Sequence, residues 1–118
     1  MRKIKDHIYV NYLLSLRAIE SELGHPPIDS IENQLLNHVL INQNLGHKQL
    51  VGDLIQLGSL GSQATLHNRI KRLTKKGYLK LKPSIQDGRK KQVLLSKKSI
   101  NHFAKHSSCI ERAVSLAS

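Results

Sequence analysis

At 118 residues the chain suits one domain with one core. Its apolar share is 39% and its aromatic share 3%, with no Trp, so the core is expected to rest on Leu and Ile. No apolar run approaches the roughly 20 residues that span a bilayer. The single cysteine, Cys109, excludes an internal disulfide framework and suits a reducing cytoplasm.

The formal net charge of +11 is segregated rather than spread. Residues 62–98 hold twelve Lys/Arg against one acid, Asp87; residues 1–61 hold five bases and six acids. A field this local asks for a polyanion: nucleic acid, an anionic membrane or an acidic protein.

The start, "MRKIKDHIYVNYLLSL", is basic and then apolar. Asp6, His7 and Asn11 interrupt the apolar run and no A-x-A site follows, so it does not read as a leader. Residues 7–23 read as a helix. Tyr12, Leu16, Ile19 and Leu23 form one stripe beside Tyr9 and Leu13, while Ile8, Val10 and Leu14 occupy other faces. A helix apolar nearly all round is buried on more than one side, either by a partner subunit or within its own domain.

Gly24 ends this helix and His25-Pro26-Pro27 cannot continue it. Asp29 or Ser30 caps a second helix to about Asn42, with Ile31, Leu35, Val39 and either Leu36 or Leu40 inward. Asn44-Leu45-Gly46 breaks it. A third helix is expected over about residues 48–57, with Leu50, Val51, Leu54 and Ile55 inward. "GSLGS" then turns the chain into a fourth, from Ser62 as N-cap to Gly77, with Leu66, Ile70 and Leu73 inward. Tyr78–Lys82 alternates as a half-buried strand with Leu79 and Leu81 inward. Pro83, Ser84, Asp87 and Gly88 supply a turn, and Gln92–Leu95 returns as a second strand. Ser96 caps a last helix to about Leu116, whose stripe is Ile100, Phe103, Ile110, Val114 and Ala117.

The expected fold is mainly α with a small β-hairpin: a winged helix-turn-helix with flanking N- and C-terminal helices. Two short helices with a glycine-bearing turn form the helix-turn-helix, and a basic hairpin after it is the wing. The expected division is 1–27 as a dimerising helix, 28–98 as a DNA-binding domain, and 99–118 as a second dimerising helix.

At 100° per residue, the side of the fourth helix opposite its apolar stripe carries Ala64, Asn68, Lys71 and Lys75, flanked by Thr65, His67 and Arg72. A central Asn can bond adenine twice, and Ala64 and Thr65 can touch a thymine methyl. Lys71, Arg72, Lys75 and Lys76 are expected to meet phosphates. Gln63 and Arg69 lie at the edges of the stripe, and both read as less direct base readers. Residues 62–77 contain no acid, and Arg69, Arg72 and Lys76 repel one another at helical spacing, which a polyanion would offset. Duplex DNA fits better than RNA, because the basic region holds one aromatic, Tyr78, and single-strand readers stack bases on aromatics.

Residues 35–98 resemble the winged-helix domain of the MarR family of bacterial transcription regulators. "LVGDLIQLGSLGSQATLHNRIKRLTKKGYL" is similar to that family's helix-turn-helix, and "DGRKKQVLLSKKS" to its wing signature, in which D-x-R precedes an apolar strand. The resemblance implies that Arg89 enters the minor groove and that Asp87 helps fix it, with Lys90 and Lys91 beside them. Gly88 stands where the family usually has arginine, and Ser96 and Ser99 replace a Thr and a Gly. It also implies a homodimer made by the terminal helices.

His102, His106 and Cys109 share a helical stripe and have donor types suited to zinc or copper. Structural zinc sites carry paired ligand spacing, so these read as the polar flank of a helix, and no metal or cofactor is assigned. A redox role for Cys109 would need a lowered pKa. Glu20, Glu22, Glu32 and Asp53 read as solvated charges. No catalytic constellation appears, so the expectation is a non-enzymatic, cytoplasmic, nucleoid-associated regulator that binds specific double-stranded DNA. The other readings are a protein-interaction winged helix and a nucleoid-type binder without sequence preference. The sequence assigns no effector.

Overall fold

The computed structural model describes residues 7–23 and 28–117. The expected break at Gly24–Pro27 lies outside them. In chain order come α1 (Ile8–Leu23), α2 (Ser30–Asn44), β1 (Gln49–Leu50), α3 (Val51–Ile55), α4 (Gln63–Lys75), β2 (Leu79–Pro83), β3 (Lys91–Leu95) and α5 (Lys97–Ala117). The chain divides into two compact units: Ile28–Ile100, and a second formed by the stretch up to Pro27 together with Asn101 onward.

The unit Ile28–Ile100 is a winged helix: α3 and α4 make the helix-turn-helix, and β2 and β3 make the wing. Its sheet is antiparallel, in the order β1-β3-β2. Local chemistry sets most of the boundaries. Asp29 is the N-cap of α2; its Oδ1 accepts from the Glu32 N–H at 2.8 Å while Glu32 Oε1 accepts from the Asp29 N–H at 3.0 Å. The end of α2 turns on Gly46 at φ +80°, where Gly46 N–H reaches Gln43 O and His47 N–H reaches Asn42 O. The same pair of bonds closes α4 at Gly77, φ +86°, where Gly77 N–H reaches Thr74 O and Tyr78 N–H reaches Leu73 O. Both glycines take a left-handed conformation that costs an L-residue about 1–2 kcal/mol.

The third helix is shorter than its pattern suggests. Gln49 and Leu50 pair with Val93 and Gln92 of β3, so they are strand rather than helix. The Asp53 carboxylate accepts the Leu50 N–H at 2.9 Å, which starts α3 at Val51. A pairing across more than forty residues leaves no local trace in the sequence.

The core of this unit joins Leu35, Leu36 and Val39 of α2, Leu54 of α3, Leu66, Ile70 and Leu73 of α4, and Leu79, Val93 and Leu95 of the sheet. Leu36 rather than Leu40 completes the α2 stripe. Each such side chain contributes about 1.5–3 kcal/mol on burial. On β2, Leu79 is buried but Leu81 is 38% exposed, against the expected inward alternation. The strand leaves the core after its first residue and continues as wing.

Behind the wing, Ser96 and Ser99 are buried and both donate their hydroxyls to the Tyr78 carbonyl. Ser96 Oγ also accepts from Ser99 N–H at 3.2 Å and so caps α5. Lys98 Nζ donates to Lys76 O at 2.7 Å and lies 4.6 Å from the centre of the Tyr78 ring. The end of α4, the base of β2 and the start of α5 are thereby joined.

Of the expected α5 stripe, Ile110 and Val114 are exposed, as is Ile100 at the end of the first unit, while Phe103 is half-buried and the side chain of Ala117 lies outside those described. Cys109 and Ala113 are buried instead. The helix has two apolar stripes, and periodicity alone cannot say which is covered. Among the described residues no helix is long and apolar enough to cross a membrane.

Candidate nucleic-acid interface

α4 begins where Ser62 Oγ accepts from Thr65 N–H at 3.1 Å, and Ser62 donates in turn to the Thr65 hydroxyl at 2.9 Å. Burial of Leu66, Ile70 and Leu73 fixes its roll. Gln63, Ala64, His67, Asn68, Lys71 and Lys75 are then exposed, as the spacing requires. Thr65 is half-buried, with its hydroxyl committed to the cap, which leaves it less free than Ala64 to meet a base.

The cations on the other flank of α4 are not unbalanced. Arg69 Nε lies 2.6 Å from Asp29 Oδ2, close in distance although not aligned as a hydrogen bond. Arg72 lies 3.8 Å from Asp29 and 3.7 Å from Glu32. Lys76 Nζ donates to both oxygens of Glu32 at 3.1 Å. The acids missing from residues 62–77 are therefore supplied by the start of α2.

Two expectations change with this geometry. Glu32 is not a solvated charge; it is 0% exposed and bonded on both oxygens. Lys76, expected to grip phosphate, is turned inward onto Glu32 with its side chain 16% exposed. Arg72 stays intermediate at 43%. Partial burial would raise the Asp29 pKa, but the Glu32 N–H and the charges of Arg69 and Arg72 outweigh it and hold the carboxyl below its usual 3.8. Burial, with the Glu32 charge, raises the Tyr78 phenol above its usual 10.0.

Sequence reasoning missed Asp29 and Glu32 as partners of α4. The signal present, Asp-x-x-Glu before an apolar run, marks a helix start but does not name the distant cations.

The wing loop is closed by Ser84 N–H to Lys90 O and Lys90 N–H to Asp87 O, each at 2.9 Å. Asp87 Oδ1 accepts from the Arg89 backbone N–H at 3.1 Å and from its Nε at 3.3 Å. These two bonds hold the Asp87 carboxyl below its usual 3.8. Arg89 is 93% exposed, held at its Nε end and otherwise presented to solvent. Lys90 and Lys91 are exposed beside it, as are Lys80 and Lys82 on β2. The arrangement combines an acid-free helix face, aimed by its core, with a basic wing that carries a braced arginine.

Among the described residues no three His, Cys, Asp or Glu side chains converge, on the α5 stripe or elsewhere. His102 and His106 rings lie 4.5 Å apart, and His102 touches Phe103 edge-on. Burial, then His106 and Lys105, lower the His102 pKa from 6.5 to about 4. Burial raises the Cys109 thiol above its usual 9.0 despite Arg112, the opposite of what a redox-active cysteine needs.

No family model and no curated protein matches the chain. Among solved structures, the heme sensor protein PefR from Streptococcus agalactiae, in complex with heme, is similar in fold. The TM-score is 0.62 at 22% identity, over 94% of this chain and 76% of that one. At that identity the likeness supports the winged-helix fold and nothing finer.

Proposed function

We propose that the protein is a sequence-specific, double-stranded-DNA-binding transcription regulator of MarR type that acts as a homodimer. The observation that carries this is the outward face of α4. Ala64, Asn68, Lys71 and Lys75 are exposed on a helix whose core-facing side is fixed, and no acid interrupts them. In this reading α4 lies in a major groove, with Gln63, Ala64, His67 and Asn68 toward base edges and Lys71 and Lys75 toward phosphates. Arg89, braced by Asp87, enters the flanking minor groove, with Lys90 and Lys91 on the backbone.

Dimerisation is supported by apolar side chains left exposed in the terminal helices. Ile8, Tyr9, Leu13 and Leu14 of α1 and Ile110, Val114 and Leu116 of α5 face solvent in the single chain. A twofold dimer would present two α4 helices to half-sites about one helical turn apart.

The test is a selection from randomised duplexes, with mass measured in solution. A preferred, near-palindromic site bound by a dimer is expected. Asn68→Ala should relax base preference, at about 1–3 kcal/mol for the base that it reads. Lys75→Ala should weaken all duplexes alike and flatten the salt dependence by about 0.9 in log–log slope. Equal losses from both variants on preferred and random DNA would remove Asn68 as a base reader. Failure to bind any duplex at low salt would refute the function and favour an acidic protein partner.

A further inference from the structure

Arg69, Arg72 and Lys76 all point toward the start of α2, but they are not held alike. Arg69 is 2.6 Å from Asp29, and Lys76 is 3.1 Å from the fully buried Glu32. Arg72 is looser, at 3.8 Å from Asp29 and 3.7 Å from Glu32, and it is the most exposed of the three. Its position on α4 is about 40° round from Asn68. The stem therefore emerges beside the proposed reading face while the guanidinium is turned back toward two carboxylates. An arginine there has two possible counterions, an internal carboxylate and a backbone phosphate.

We propose that Asp29 is a specificity-determining residue for DNA. Its carboxylate retains Arg72 and so limits sequence-independent binding to phosphate. The inference rests on the DNA-binding reading above. A phosphate contact strengthens binding to any duplex and carries no base information. On a preferred site, base contacts around Asn68 fix the register, and a freed arginine can use just the phosphate which that register presents. On random DNA the helix can shift until the freed cation finds a partner. Because competing non-specific sites vastly outnumber specific ones, a restraint on the second kind of binding matters more than its size suggests.

The geometry allows a clean substitution. Asp29 caps α2 through Oδ1 and meets the arginines through Oδ2. Asparagine caps about as well as aspartate, so Asp29→Asn keeps the cap and removes the charge; Asp29→Ser does the same with a shorter side chain. Glu111→Gln, on exposed α5, makes the same net-charge change away from α4 and serves as the control.

The experiment measures affinity for the selected duplex and for a random duplex over a range of salt, for wild type, Asp29→Asn, Asp29→Ser, Glu111→Gln and Asp29→Asn/Arg72→Gln. Random-duplex binding by the Asp29 variants is expected to tighten about three- to tenfold at low salt, with a log–log slope steeper by about 0.9. The preferred duplex should gain less, so discrimination falls, and adding Arg72→Gln should cancel most of the gain. A gain no larger than that of Glu111→Gln, an equal gain on both duplexes, or a gain that survives Arg72→Gln each overturns the proposal. Wild type that prefers no duplex refutes the regulator reading and this inference with it. Wild type that discriminates while the Asp29 variants discriminate equally well refutes this inference alone.

Discussion

Replacing Glu32 by leucine should be among the most damaging single changes in the winged helix. The carboxylate is 0% exposed, accepts the Asp29 N–H at 3.0 Å and takes two bonds from Lys76, 44 residues away in sequence. Leucine has a similar size, so the loss is chemical rather than a matter of volume. It strands Lys76 in a site where its side chain is 16% exposed and leaves the α2 cap half made. Breaking a buried pair from one side costs about 3–5 kcal/mol, and half of a capping box adds about 1. Since some of the Lys76 chain can extend toward water, about 3 kcal/mol is expected, a large part of a total stability of about 5–15 kcal/mol. Urea unfolding followed by far-ultraviolet circular dichroism would measure it, and the melting temperature should fall by about 10–20 °C. The double variant Glu32→Leu/Lys76→Met should recover to within about 1–2 kcal/mol of wild type, because an apolar pair can replace a buried ion pair at little cost. A loss below about 1 kcal/mol for Glu32→Leu, or no recovery in the double variant, would refute the ion pair as the reason that Glu32 is buried.

Other consequences are independent of the first. Gly77→Ala should cost about 1–2 kcal/mol in the same unfolding assay, because φ +86° is strained for alanine even though the added methyl would meet only the Lys98 side chain, at an ordinary 3.7 Å. His102 should titrate in proton NMR with a midpoint of about 4, well below 6.5. Its native form resists protonation that the unfolded chain accepts, so stability should fall as pH drops from about 6.5 toward 4, and His102→Gln should flatten that fall. The Cys109 thiol should react with a soluble disulfide reagent about 100-fold or more slowly in the native protein than in urea, since it is buried and its pKa is raised. Rapid native labelling would contradict its placement.

Much of α4 was legible because its determinants are local. Leu66, Ile70 and Leu73 recur at helical spacing, Ser62 caps and Gly77 stops, so spacing alone put Asn68 and Lys71 outward. The Asp87–Arg89 contact spans two residues and was implied by a motif for the same reason. Leu81 was misplaced because alternation marks a strand without telling where the strand leaves its core. On α5, two apolar stripes made the covered face ambiguous, and Cys109 and Ala113 took it instead of Ile110 and Val114.

The sequence by itself determined where α2, α4 and α5 begin, where α4 stops, how α4 is rolled, and that its outward face is basic. Tertiary structure alone decided β1, which exists through Val93 and Gln92, and it alone decided the fate of the α4 cations. Asp29 and Glu32 look like an ordinary helix cap until the fold brings Arg69, Arg72 and Lys76 to them. Helical periodicity and capping act within a few residues, whereas strand pairing and burial of a charge depend on what the fold brings alongside.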